Sequence, residues 1–409
     1  MKSFTLDTAL VSIEQRSFEV VERKGLGHPD TLADGVAEAI SLAYSNYCIE
    51  HYGAVLHHNV DKTAIFGGLA EIELGTARMI KPHRIILSGR ISSEFGGQKI
   101  DFESIQQKAA IDYIQSRLPH LSLSGWLEVH SFTTSSSRSP YWFHPRNLDD
   151  VPDAKNPWAN DTSVCVGYWP LSLTEQLALS LEGFFYKNDK PAYDFVGQDI
   201  KVMAIRKNSS IEMTMCVPLM AEKVSTREIY RDQIHCLQSK LLERARQIVG
   251  DRYEIALFVN TQDQRANDIR GGNYLTCSGS ALDFGEEGMV GRGNRSRGII
   301  SSVRPYSMEA SNGKNPAYHV GKVYGYIVDV LSQLLAETFD CEAQVAVSTR
   351  MGDPLLDPHQ LFVSLSKKVE ETEVRALVEH QLTSRAWTSE ILSEQYFLPR
   401  AKGESCVKA

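Results

Sequence analysis

The stretch that most constrains this chain is Gly285–Lys322, GEEGMVGRGNRSRGIISSVRPYSMEASNGKNPAYHVGK. It holds seven glycines, and Arg292, Arg295, Arg297, Arg304, Lys314 and Lys322 outnumber Glu286, Glu287 and Glu309, although the whole chain carries a formal charge of −8. Glycine lets backbone N–H groups approach a ligand closely, and Arg and Lys neutralise charge that water no longer screens. Two readings compete: a surface loop with a solvated basic face, or a polyphosphate site. The spacing matches neither G-x-x-x-x-G-K-[ST] nor a strand-to-helix G-x-G-x-x-G, so an ATP site here would be of another kind.

A length of 409 residues suggests two or three structural units around a substantial core. The acidic balance argues against a general nucleic-acid binder. Cys48, Cys165, Cys216, Cys236, Cys277, Cys341 and Cys406 are odd in number, scattered and without C-x-x-C, which argues against a disulfide framework or a zinc site. The N-terminal MKSFTLDTALVSIEQRS lacks the apolar core of a signal peptide, and no run of about 18 apolar residues occurs. The expectation is a soluble, cytoplasmic protein with neither nucleic acid nor membrane as partner.

Along the chain, FEVVERK reads as a strand, and Leu32, Val36, Ala39, Ile40, Ala43 and Tyr47 recur at helical spacing through Cys48. Asp30 is the expected N-cap of that helix. Asp30 and Asp34 share a face; they either stabilise the helix N-terminus or offer a Mg²⁺ position beside an anion, with His28 reaching the same ligand. Ala54–Asn59, Thr63–Ile72 and Arg84–Ile91 read as strands. His57 and His58 then face opposite ways, and Asp61 either ligates a cation or makes the turn. Asp101–Ser116 is helical, and Ser131–Pro157 is a long loop of the kind that forms lids or connectors. Capping boxes at Ser172/Glu175 and Ser225/Glu228 open two more helices. Asp199–Ile205 and Ile211–Leu219 form a hairpin, and Val320–Phe339 is a further helix. Hairpins alternate with helices, which favours an α+β fold with helices on one face of mainly antiparallel sheets.

Six signatures occur together: ERKGLGHPD at Glu22–Asp30, HHNVD at His57–Asp61, NDTSVCVGYWPLS at Asn160–Ser172, GQDIKVMAIR at Gly197–Arg206, VGRGNR at Val290–Arg295, and RPYSMEASNGKNPAYHVGKVY at Arg304–Tyr324. In this order they resemble the archaeal-type S-adenosylmethionine synthetases (methionine adenosyltransferases), over residues 20 to 355. The resemblance implies an α+β fold of three pseudo-symmetric units. The expected boundaries are 25–145 plus 313–323 for a central unit, 1–24 plus 172–280 for a second, and 146–171 plus 281–312 plus 324–409 for a third. It also implies a homodimer with active sites at the interface, ATP and L-methionine as substrates, Mg²⁺, and K⁺ as an aid. Methionine sulfur would displace triphosphate from C5′ of ATP, and the triphosphate would be hydrolysed to pyrophosphate and phosphate.

The resemblance carries roles onto particular residues. His28 matches the histidine beside the C5′ oxygen, and Asp30 a Mg²⁺-ligating carboxylate. Lys201 resembles the lysine near the breaking bond and Asp199 a nucleoside-binding aspartate. Asp161 matches the holder of methionine's amino group, Arg292 and Lys314 match triphosphate-binding cations, and His319 falls near another. Arg295 and Glu286 border the same substrate site, and Asp61 is a second candidate metal ligand. Departures cluster on the methionine side. Phe132–Arg138 lacks the glutamine of the family's G-Q-G-S lid, Glu286-Glu287 stands where the family has aspartates, and Lys62 introduces a cation beside Asp61. Three alternatives to the unchanged reaction therefore stand: adenosyl transfer to a methionine analogue or another nucleophile, hydrolysis alone, or ATP binding without catalysis.

Overall fold

The computed structural model describes residues 3–139, 141–151, 156–265 and 272–401. Three main sheets carry the fold, and each follows one pairing pattern. In the first, Leu127–Thr134 runs parallel to His83–Ile91, followed by antiparallel Ala64–Phe66 and Glu287–Met289. In the second, Glu254–Val259 runs parallel to Ser210–Cys216, followed by antiparallel Lys201–Lys207 and Phe18–Lys24. In the third, Phe4–Asp7 runs parallel to Gln360–Leu365, followed by antiparallel Ala343–Ser348 and Val164–Trp169. The repeat that the sequence hides is thus a repeat of pairing: one parallel edge, then antiparallel neighbours.

Each sheet turns one face to helices. Val202, Ala204, Met213 and Met215 pack on Leu173–Gly183 and Arg227–Val249; Val345, Val347, Leu361 and Val363 pack on Val320–Phe339 and the C-terminal helices. Ile65, Ile85 and Leu87 pack under Pro29–Tyr52 and Phe102–Arg117. Pro29–Tyr52 and Val320–Phe339 are buried nearly all round, as central helices must be if both flanks are covered. The opposite face of the first sheet is open: Phe132 is 66 % exposed, Phe66 41 % and Met289 39 %. No helix of the described residues is long and apolar enough to cross a membrane.

The expected α+β class, with helices on one face, is the observed one, and several local expectations are corrected. His28, not Asp30, caps the helix Pro29–Tyr52, because Pro29 takes the first helical position, where no N–H is needed. Thr226 rather than Ser225 caps Arg227–Val249, whereas the capping box at Ser172 and Glu175 is complete. Ser131–Thr134 belongs to a strand instead of a loop, held by parallel pairing to Leu87–Arg90. Pairing also crosses the expected unit boundaries: Phe4–Asp7 joins the third sheet, Ile300–Ser301 the second and Glu287–Met289 the first.

Candidate active site

The glycine-rich stretch is fastened to the start of the helix Pro29–Tyr52. Asp30 Oδ1 accepts from Met289 N–H at 3.1 Å, and Asp34 Oδ1, one turn on, accepts from Gly291 N–H at 2.7 Å. Asn294 closes the other side: its Oδ1 accepts from Lys24 N–H at 3.0 Å, and its amide donates to Lys24 C=O at 2.7 Å. Such close seating needs glycine. A Cβ on Gly288 would lie 2.0 Å from Pro29 O, and one on Gly293 would lie 2.1 Å from Asp34 Oδ2.

Charge converges at this helix start. Lys24 Nζ bonds Asp30 Oδ2 at 2.8 Å and Arg292 C=O at 2.7 Å, and Lys201 Nζ lies 3.1 Å from Glu22. His28 Nδ1 accepts from Asp30 N–H at 3.1 Å, which leaves the imidazole proton on Nε2. Burial pushes His28 down to about 4, countered by Asp30 and assisted by Lys24 and Lys201, so a neutral N–H donor stands here at neutral pH. Burial works against the charged form of Asp30, yet Lys24 and the Met289 N–H hold its carboxyl below the usual range. Asp34 is buried and pushed up to about 7 by desolvation, against the Gly291 N–H and the charge of Arg295. Arg292 is exposed, and Arg295 donates to Gly291 C=O beside a cavity of about 160 Å³ that Asp34 and Glu309 also line.

Asp199 forms the adjoining wall. Its carboxylate accepts from Ala281 N–H at 3.0 Å and Tyr274 O–H at 3.1 Å. Desolvation pushes it up to about 7, against those donors, with Glu286 raising and Lys201 lowering it. Ser280 Oγ, from the same strap, donates to Gly27 C=O at 2.7 Å and ties this wall to the His28 turn.

A second cluster lies along the same helix. Glu38, eight residues beyond Asp30 and therefore about 12 Å along the axis, accepts from Gly313 N–H at 3.1 Å and forms a buried ion pair with Lys322. Next to it, Lys314 pairs with Glu309 and lies 3.9 Å from Asp61, which Lys62 also engages at 2.7 Å. His319 caps Val320–Phe339, with Nδ1 accepting from Gly321 N–H at 3.2 Å; burial and the neighbouring lysines push it well down. Asn160 Oδ1 accepts from Val320 N–H at 2.9 Å, which puts half-buried Asp161 at the same helix start.

The family model described as S-adenosylmethionine synthetase (AdoMet synthetase) matches residues 6–394. The chain belongs to this family. The S-adenosylmethionine synthase of Thermoplasma volcanium is 36% identical over 354 residues, 86% of each chain. An uncharacterized protein of Streptococcus pyogenes serotype M3 is 38% identical over 394 residues, 94% of this chain and 95% of that one. An unusual S-adenosylmethionine synthetase from Campylobacter jejuni shares the fold, with a TM-score of 0.57 and 16% identity over 95% of this chain and 90% of that one.

Against the family's sequence pattern, the structure gathers His28, Asp30, Asp199, Lys201 and Glu286 with the backbone of Gly291–Arg292, and gathers Asp61, Lys314, His319 and Asp161 elsewhere. Among the described residues, no three His, Cys, Asp or Glu side chains converge as a metal site. Sequence reasoning missed Lys24, Asn294 and Glu38, and read Asp34 with Asp30 as a helix-start acid or a Mg²⁺ position without the bond that fastens it to the Gly291 N–H. Lys24 and Asn294 lie inside quoted motifs, which was the available signal.

Proposed function

We propose that the protein is an S-adenosylmethionine synthetase in which methionine sulfur attacks C5′ of ATP, the C5′–O5′ bond breaks, and triphosphate departs and is hydrolysed to pyrophosphate and phosphate. A thioether has a lone pair and no proton to lose, so the site needs no base. It needs stabilisation of a polyanionic leaving group and alignment of sulfur, carbon and oxygen. The observation carrying the reading is the convergence of His28 Nε2–H, Lys201 and the glycine-rich backbone at the positive end of the helix Pro29–Tyr52. In this reading His28 donates to the departing oxygen, Lys201 neutralises phosphate at the breaking bond, and Asp199 with Glu286 orients the nucleoside. Arg292, Arg295, Lys314 and His319 receive the rest of the triphosphate, and Asp161 holds methionine's ammonium.

Mg²⁺ commonly binds through one or two carboxylates together with substrate phosphates. Asp30 suits that role, since its carboxyl is held ionised and already carries the Lys24 ammonium as a stand-in cation. Bound there, the ion would neutralise charge developing on the leaving group. K⁺ would have to compete at Asp61 with Lys62.

The two clusters are two halves of one site, and we propose that a second copy of the chain unites them. Glu287–Met289 leads to Asp30 and His58–Asn59 to Lys314, so both halves border the open face of the first sheet. That face, with Phe66, Phe132 and Met289 exposed, suits a twofold homodimer. The test is complementation. Lys201→Ala and Lys314→Ala should each abolish synthesis with dimerisation intact, and remixed subunits should recover about one quarter of wild-type activity by random pairing. No recovery in verified mixed dimers would place both lysines in a site within one copy. The free thiols of Cys48, Cys165 and Cys277 suit a reducing compartment, and we propose a cytoplasmic setting.

A further inference from the structure

Lys24 and Lys201 are direct cross-strand partners at the end of the antiparallel pair Phe18–Lys24 and Lys201–Lys207. Their neighbours in register, Arg23 and Val202, point into the core, so both lysines leave the sheet on its other face, towards His28. Like charges directly opposite each other destabilise a sheet, and these two also face the positive end of the helix Pro29–Tyr52. The fold answers each with one carboxylate. Glu22, diagonal in register, takes Lys201 at 3.1 Å, and Asp30 takes Lys24 at 2.8 Å. Lys24 is also held firmly: its backbone is bonded on both sides by Asn294, its ammonium donates to Arg292 C=O, and its side chain is only 14 % exposed. Both ammonium groups act on the His28 ring. Packing does not require two facing lysines here, whereas a polyanion at the helix start would need both.

We propose that Lys24 is a second catalytic cation of the reaction, touching the triphosphate beside Lys201 and exchanging its bond to Asp30 for a phosphate oxygen when the nucleotide binds. The proposal rests on the synthetase reading above. It makes Asp30 a gate on Lys24. Until substrate arrives, the carboxylate holds the ammonium in place and lowers the cost of the facing lysines. A cation taken up by Asp30 then frees Lys24 for the phosphate chain, so metal and anion binding support each other.

The test uses inorganic triphosphate, titrated calorimetrically into the full-length protein without Mg²⁺. The wild type should bind, and Lys24→Met should weaken binding by about tenfold or more, the loss of one charge-assisted contact. Lys24→Arg should retain most of the affinity, which separates loss of charge from misfolding. Asp30→Asn alone should bind triphosphate more tightly than wild type, and adding Lys24→Met in that background should cost more than it does in the wild type, because no bond to Asp30 is given up there. If Lys24 acted only by positioning Asp30, its substitution would be silent once Asp30 is gone, and that result overturns the proposal. Equal binding by wild type and Lys24→Met overturns it alone, whereas a wild type that binds no triphosphate either without or with Mg²⁺ overturns the synthetase reading with it.

Discussion

Gly288→Ala isolates the contact on which the site's geometry rests. The added Cβ would lie 2.0 Å from Pro29 O, 2.1 Å from Pro29 C and 2.7 Å from Asp30 N, all of them backbone atoms at the helix start. Real Cβ atoms keep at least 3.0 Å, so the strand Glu287–Met289 must retreat by roughly 1 Å or more. The Met289 N–H to Asp30 bond, already 3.1 Å, would then pass hydrogen-bond range. Its loss costs about 1–3 kcal/mol, because a buried ionised acceptor loses one of its donors. The larger effect falls on catalysis, since a displacement of this size in a positioning element lowers the rate by about 100-fold. The assay is kcat/KM for S-adenosylmethionine formation beside a thermal melt, with Gly272→Ala, which meets nothing within 4 Å, as control. A Gly288→Ala enzyme within about threefold of wild type would refute the claim that this seating positions the site.

Lys62→Ala should convert weak stimulation by K⁺ into strong stimulation, because Asp61 loses the ammonium 2.7 Å away; equal K⁺ response in both proteins counts against a cation at Asp61. Asp34, pushed up to about 7 from an ordinary 3.8, binds more protons in the folded than in the unfolded state between those values. Its contribution to stability is therefore full below about pH 4 and is lost as pH rises through 7, by at most about 4 kcal/mol, so Asp34→Asn should flatten stability across that window in urea unfolding. Lys322→Met strands a buried Glu38 and should destabilise by about 3–5 kcal/mol. The paired change with Glu38→Gln should recover most of that loss, and no recovery would remove the ion pair as its cause.

Much of this architecture was legible because it is written in local patterns. The helices Pro29–Tyr52 and Val320–Phe339 carry long apolar periodicity, and Ser172 with Glu175 forms a capping box that needs only four residues to be read. The parallel edge strands were not legible. Phe4–Asp7 finds its partner in Gln360–Leu365, and no local pattern records a pairing across the whole chain. Motif residues such as His28 and Lys201 could be named from sequence, but their electrostatics could not. Lys24 precedes Asp30 by six residues and bonds it across a strand-to-helix connection whose Gly25 and Gly27 pack against the backbone of Ile200 and Gln198, where a Cβ would not fit. Ser131–Thr134 read as loop because its serines and threonines lack periodicity, yet pairing with Leu87–Arg90 makes it strand. The division of the family's residues into two clusters is likewise a tertiary property, set by where Gly313 and Lys314 meet Glu38 and Asp61.

The measurement that bears most directly on the account is mass spectrometry of one incubation of purified protein with ATP, Mg²⁺, K⁺ and L-methionine, beside a methionine-free control. The account predicts S-adenosylmethionine with pyrophosphate and phosphate, formed only when methionine is present. Phosphate without S-adenosylmethionine would contradict it. The altered segment Phe132–Arg138 would then mark an acceptor pocket that no longer takes methionine, and a screen of other thioethers would identify what it takes instead.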